Sequence, residues 1–204
     1  MLIGECLKYY SVNGFLMKTQ DAEKFSNRMA NKYRSMVGEE PGESQIKAWK
    51  DCCEALHRSL PFLPNAKREK MSIVFEYCLP ANAPWKPEFE GENHLRTDVL
   101  LLSGNKVAVL EFKQSDTFFE GYRRQAQKYG RRLKKYHVLS KSMKIRCVCV
   151  LTGATELDQY DEGAKICSPD QLGKVLNKMF LYVSEPANMT KWLGSGFVFR
   201  EMKE

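Results

Sequence analysis

Between Arg96 and Gln114 the chain reads R-T-D-V-L-L-L-S-G-N-K-V-A-V-L-E-F-K-Q, and four ionisable residues there, Arg96, Asp98, Glu111 and Lys113, could act on one another. Gly104-Asn105 between two apolar runs predicts a β-hairpin, because both residue types tolerate the positive φ of the turns that match strand twist. With that pair as a two-residue loop, Asp98 falls opposite Glu111 and Arg96 opposite Lys113. Side chains alternate along a strand, so the pattern puts all four on one face at the open end of the hairpin. The apolar residues fill both faces: Leu100, Leu102, Val107 and Val109 on one, Val99, Leu101, Ala108, Leu110 and Phe112 on the other. Such strands are central and covered on both sides. Charges at the end of buried strands must be paired, solvated or metal-bound, since a lone buried charge is costly. Two readings therefore stand open, a self-neutralising ion-pair cluster and a site in which paired carboxylates bind a hard cation.

The elements that would position these residues follow from periodicity. Residues 14–36 place Phe15, Leu16, Ala22, Phe25, Met29 and Tyr33 at helical spacing, and residues 44–60 do the same with Ile46, Trp49, Cys53 and Leu56 after a candidate N-cap at Ser44. Residues 65–71 form a charged connector. Ser72 to Leu79 is an apolar strand interrupted by Glu76 and ended by Pro80, and the proline-rich acidic stretch 80–94 is expected to border a site. After the hairpin, Phe118–Tyr136 predicts a basic helix with Tyr122, Ala126, Tyr129, Leu133 and Tyr136 as its apolar stripe. Gln125 and Tyr129 share a face of that helix, four residues apart. Lys144–Thr152 predicts a buried strand, residues 154–168 loop and turn, and Asp170–Tyr182 an amphipathic helix. A strand, a crossover helix and a strand imply a right-handed parallel connection. The fold class expected is α/β, a central mixed sheet with helices on both faces.

Composition narrows the function classes. The 204 residues suffice for one domain, 43% hydrophobic content can fill a core, and the formal net charge of +7 points to a polyanionic partner, nucleic acid before anionic membrane. The absence of a long apolar run and of a signal-peptide pattern predicts a cytoplasmic protein without membrane association. Seven cysteines, none in a C-x-x-C pair, read as small buried hydrophobes in a reducing compartment. His57, His94 and His137 are scattered and form no zinc or nucleophile pattern.

Asp98, twelve intervening residues and Glu111-x-Lys113 resemble the PD-(D/E)XK nuclease motif, with T-D in place of P-D. Gln125-x-x-x-Tyr129 is similar to the Q-x-x-x-Y motif of RecB/Cas4-like exonuclease domains. The series E-Y-C-L-P, R-T-D, E-F-K-Q and Q-A-Q-K-Y looks like a nuclease-like domain found N-terminal to P-loop helicase or ATPase modules in bacterial proteins. The resemblance covers about residues 44–180, and implies a restriction-endonuclease-like core over 44–183. Residues 1–43 are then an N-terminal strand/helix extension and 184–204 a C-terminal tail or linker. The chain carries no G-x-x-x-x-G-K-[ST], so a stand-alone nuclease and a piece of a longer protein are both open. What the resemblance implies is a Mg²⁺- or Mn²⁺-dependent deoxyribonuclease, with Asp98, Glu111, the Phe112 carbonyl and Glu76 as metal ligands. Lys113 would position or deprotonate water, and Gln125 and Tyr129 would bond near the scissile phosphate. Arg96, Arg123, Arg124, Lys128, Arg131 and Arg132 are the candidate DNA contacts. The family's usual acid on the preceding helix corresponds to Gln45, with Glu43 nearby. That departure keeps a catalytically weak module, binding DNA or a partner ATPase, as the alternative. A homodimer, and a role in DNA repair or antiviral defence, are further expectations of the resemblance.

Overall fold

A computed structural model describes residues 1, 3–80, 94–183 and 185–198, of His94 the backbone alone. Among them, seven strands form one mixed sheet in the order β1-β2-β3-β4-β5-β7-β6. These are β1 (Lys8–Ser11), β2 (Ser72–Pro80), β3 (His94–Ser103), β4 (Lys106–Lys113), β5 (Lys144–Leu151), β6 (Asp158–Asp161) and β7 (Ala164–Cys167). The helices are α1 (Val12–Lys18), α2 (Ala22–Val37), α3 (Glu43–Ser59), α4 (Asn65–Arg68), α5 (Glu120–Tyr136), α6 (Pro169–Met179) and α7 (Met189–Gly194). Helices α1, α2, α3 and α6 pack on one face over Phe75, Val99, Leu101, Leu110 and Val148. Helices α5 and α7 cover the other over Val74, Leu100, Val109, Cys149 and Leu151. The expected α/β architecture, a mixed sheet with helices on both faces, is the one observed.

The central hairpin has the register its turn dictates: Ser103 pairs with Lys106 and Val99 with Leu110. Gly104 takes φ 53°, and Asn105 stays out of the left-handed region, the arrangement of a type II′ turn. β4 and β5 run parallel across the α5 crossover, from Lys106↔Lys144 to Lys113↔Leu151. Gly153 sits where the chain crosses the exit of β4. A Cβ there would lie 3.1 Å from the backbone of Ser115 and Asp116.

Several elements differ from the expectation. The helix predicted over 14–36 is two helices, because Asp21 accepts a hydrogen bond from the Lys24 N–H and starts α2 afresh. α3 begins at Glu43 after Gly42, not at Ser44. Residues 154–168, expected as loop and turn, contain the β6–β7 hairpin, turning at Glu162 and Gly163 with φ 38° and 91°. The stretch expected as a C-terminal tail carries α7, whose Trp192 is 2% exposed and stacks on His137 at 4.2 Å. Its indole N–H donates to Ser140 Oγ at 3.0 Å. β1, in the expected N-terminal extension, is an edge strand of the main sheet. The cysteines are free thiols and all but the half-buried Cys6 are buried, as expected. The acidic loop expected to border the site falls, from residue 81 to 93, outside the described residues.

Candidate functional site

Three carboxylates occupy one rung across neighbouring strands: Glu76 on β2, Asp98 on β3 and Glu111 on β4. Pairing lapses at that rung. β2 and β3 pair at Phe75↔Val99 and again at Tyr77↔Thr97, skipping Glu76 and Asp98 without a change of register. β3 and β4 stop pairing at Val99↔Leu110. Glu76 has φ 53°, unusual for a side chain other than glycine or asparagine inside a strand. Its consequence is a change of facing. Before it, Ile73 and Phe75 point to the α3 side and Val74 to the α5 side; after it, Tyr77 and Leu79 point to the α5 side. β3 slips in the same way, with Leu95, Leu100 and Leu102 all on the α5 side.

This slip separates residues that strict alternation would group. Arg96, expected beside Asp98, Glu111 and Lys113, lies instead against α2 and Glu76. Its guanidinium covers the Tyr33 ring at 5.0 Å, and its Nη1 is 3.5 Å from Glu76 Oε2. Glu76 itself is held by α3, accepting from Trp49 Nε1 at 2.8 Å and Gln45 Nε2 at 3.3 Å. Gln45 therefore braces an acid.

Asp98 and Glu111 fill the gap where β3 and β4 part. Asp98 Oδ2 accepts from the Phe112 N–H at 2.7 Å, and Glu111 Oε1 accepts from the Asp98 N–H at 3.3 Å. Each side chain thus replaces a lost ladder bond of the other strand. In an extended strand one residue's N–H and C=O point to the same edge, so the Phe112 carbonyl faces this gap too. Lys113 Nζ is 3.4 Å from Glu111 Oε2 and donates to Gln125 Oε1 at 2.8 Å. Gln125 Nε2 donates in turn to Tyr129 Oη at 2.8 Å. The chain Glu111–Lys113–Gln125–Tyr129 links β4 to α5, and the phenol, accepting from Gln125, keeps its own proton to donate. Gln114, on the other face, donates to Asp51 at 2.6 Å.

Burial dominates the electrostatics. Glu111 is 0% exposed and Glu76 4%. Desolvation, then the charge of Asp98, pushes Glu76 up to about 7 against the stabilising Trp49 bond and Arg96. Desolvation also raises Asp98, opposed by Lys113, the Phe112 N–H and Arg96. Glu111 is held well above the ordinary carboxylate range by desolvation and the Asp98 charge. Three acids, two of them buried, against two cations make a cluster short of positive charge. Hard oxygen donors of that kind suit a divalent ion that keeps several waters and takes one or two carboxylates. Asp98, Glu111 and the Phe112 carbonyl fit that description. Glu76 is engaged by Trp49, Gln45 and Arg96, and among the described residues no group of three or more acidic, His or Cys side chains converges as a metal site.

The expected DNA contacts scatter. Arg123 is 5% exposed and points inward, paired with Glu120, Asp161 and Glu162. Arg124 pairs with Glu120, and Arg132 lies over Tyr136 at 5.5 Å. Lys128 is exposed. Arg131 lines a groove with Lys134, Lys144 and Arg146 near the N-terminal end of β5, the end away from Glu111. Sequence reasoning missed Trp49, whose partner Glu76 is 27 residues away.

No protein-family model and no curated protein matches the chain. A solved structure, protein VC1899 from Vibrio cholerae, aligns over 83% of this chain and 44% of its own length, at 12% identity and a TM-score of 0.34.

Proposed function

We propose that the protein is a metal-dependent nuclease that hydrolyses phosphodiester bonds in DNA, on a restriction-endonuclease-like core. The observation that carries this reading is the rung of carboxylates where pairing lapses across β2, β3 and β4, with Lys113 two residues beyond Glu111 and tied to Gln125 and Tyr129. Mg²⁺ or Mn²⁺, when bound, would lower the pKa of a water and offset charge on the phosphoryl oxygens. The chain's own groups do the rest. Asp98, Glu111 and the Phe112 carbonyl would hold the ion. Lys113 offers its ammonium to the phosphate or to the attacking water. Gln125 fixes Lys113, and the Tyr129 hydroxyl can donate to a phosphate oxygen.

The test is incubation with linear, circular and single-stranded DNA in Mg²⁺, Mn²⁺ or EDTA, comparing wild type with Asp98→Ala and Lys113→Ala. Metal-dependent cutting lost in both variants is the expected result. Cutting that survives either variant overturns it.

One observation favours a second reading, a nuclease-fold module that binds DNA or a partner helicase or ATPase without cutting. Glu76 is engaged by Trp49, Gln45 and Arg96, all protein donors. Salt-sensitive DNA binding without cutting, unchanged in Asp98→Ala, would select it. Action within a homodimer, in DNA repair or in defence against foreign DNA, belongs to the first reading.

A further inference from the structure

Phe119 follows neither of the local rules that apply to it. It is the N-cap of α5, a position where a short polar side chain usually accepts from the first unpaired N–H groups, and it makes no capping bond. It is also a large apolar residue left 56% exposed, so its ring adds little to the core. Residues that break a local preference without a structural gain concentrate at functional sites. Such a site lies beside this one. The Phe119 ring meets Tyr122 edge to face, with centroids 5.5 Å apart and planes at 84°. The half-buried Tyr122 ring lies in turn 5.7 Å from Lys113 Nζ, the ammonium that donates to Gln125 and faces Glu111. Contacts thus lead outward from the carboxylate rung, from Glu111 to Lys113, to Tyr122 and to Phe119. The chain between Lys113 and Phe119 is braced. Ser115 N–H donates to the Lys113 carbonyl at 2.8 Å, Thr117 N–H donates to Ser115 Oγ at 3.1 Å, and Gly153 N–H donates to the Ser115 carbonyl at 3.0 Å. Among the described residues, Phe119 is the one exposed aromatic that pairs with another ring.

We propose that Phe119, backed by Tyr122, stacks on an unpaired base of the strand whose phosphate Lys113 engages, which makes single-stranded nucleic acid the preferred substrate of the candidate site. The proposal rests on the nuclease reading for the phosphate, and on the two rings for the base. An edge-to-face contact covers at most one face of Phe119, and the exposure of the ring leaves the rest to a ligand. Every base has a π-face that can stack on such a ring. In a duplex those faces are taken by the neighbouring base pairs, so the form that fits is an unstacked base. A partner protein would cover Phe119 with apolar side chains, but the next groups inward are a tyrosine and an ammonium. That succession suits a ligand that joins a flat ring to a phosphate.

The test is fluorescence anisotropy in EDTA with a labelled oligothymidylate, an abasic strand with the same number of phosphates, the matched duplex, and thymidine monophosphate as competitor. The proteins are wild type, Phe119→Ala, Phe119→Trp and Asp98→Ala. Phe119→Ala should weaken oligothymidylate binding about fivefold or more and leave the abasic strand and the duplex unchanged. Phe119→Trp should keep wild-type binding. In Mg²⁺, Phe119→Ala should raise KM for single strands by a similar factor with kcat unchanged, the mark of binding lost equally from ground and transition states. Wild type that binds the abasic strand as tightly as oligothymidylate, or that binds neither, overturns the proposal. So does oligothymidylate binding unaltered in a Phe119→Ala variant that melts like wild type. Monophosphate that competes mole for mole with the strand also overturns it, and assigns the ring to a free nucleotide. The two readings separate cleanly. DNA cutting abolished by Asp98→Ala, with Phe119→Ala binding and cutting like wild type, leaves the nuclease and removes the base platform. Base-dependent binding through Phe119 with no cutting in any metal does the reverse.

Discussion

Replacing Glu76 by glutamine should make the protein more stable at pH 8 and leave it unchanged at pH 4. The buried carboxyl titrates at about 7 when folded, against 4.5 ordinarily. A folded-state pKa raised above the unfolded one means the folded protein holds the extra proton. The stability this confers is complete below 4.5 and is lost as the pH rises through 7. At 1.36 kcal/mol per pH unit, the interval between the two values comes to about 3 kcal/mol lost by wild type between pH 4 and pH 8. Glutamine cannot ionise, and its amide oxygen can still accept from Trp49. Its nitrogen would face Arg96, whose guanidinium is one-third exposed and remains stacked on Tyr33. Glu76→Gln should therefore gain about 3 kcal/mol over wild type at pH 8, or about 6–12 °C in melting temperature for a chain of this size. Urea denaturation at pH 4, 5, 6, 7 and 8 in EDTA reads the difference with no bound cation entering the balance. A gap between variant and wild type that does not grow with pH, or that favours wild type at pH 8, refutes the account of Glu76 as a buried acid held against its own desolvation.

Other perturbations follow from the same contacts. Trp49→Phe removes the 2.8 Å indole bond to Glu76 and should cost about 1–3 kcal/mol, more at pH 8 than at pH 5, read by the same denaturation series. His137, pushed down to about 4 by burial, stays neutral when folded, so stability it confers above 6.5 is lost as the pH falls toward 4; its ring C2–H proton shift should titrate near 4 by NMR, and a midpoint near 6.5 would contradict its burial. Trp192→Ala empties the aromatic cluster with His137 and Tyr77 and should cost about 3–5 kcal/mol by urea denaturation. Gly153→Ala places a Cβ 3.1 Å from the Ser115–Asp116 backbone and should cost about 1–3 kcal/mol in urea denaturation, with reduced DNA cutting because the exit of β4 beyond Lys113 must shift.

What the sequence determined by itself is local or periodic. Gly104-Asn105 fixed the hairpin register, because a two-residue turn leaves no freedom of pairing, and with it the opposition of Asp98 to Glu111. The 3.6-residue stripe of α5 placed Gln125 and Tyr129 on one face, where they bond to one another. The unbroken apolar runs of β3 and β4 marked them as covered on both sides. What only the tertiary structure decided depends on partners distant in the chain. Glu76 leaves the regular strand conformation where Trp49 and Gln45 of α3 hold its carboxylate, and the facing of β2 slips there, so no count by twos along β3 could have put Arg96 on Tyr33 rather than beside Asp98. Arg123 looks in sequence like one more cation on a basic helix; the β6–β7 turn brings Asp161 and Glu162 to it and turns it inward. Trp192 reads as part of a polar tail until His137, Tyr77 and Ser140 close around it. The opened rung of carboxylates belongs to both sources: its residues and their opposition are written in the chain, while the loss of pairing that leaves two of them in a gap between strands arises only when three strands and two helices meet.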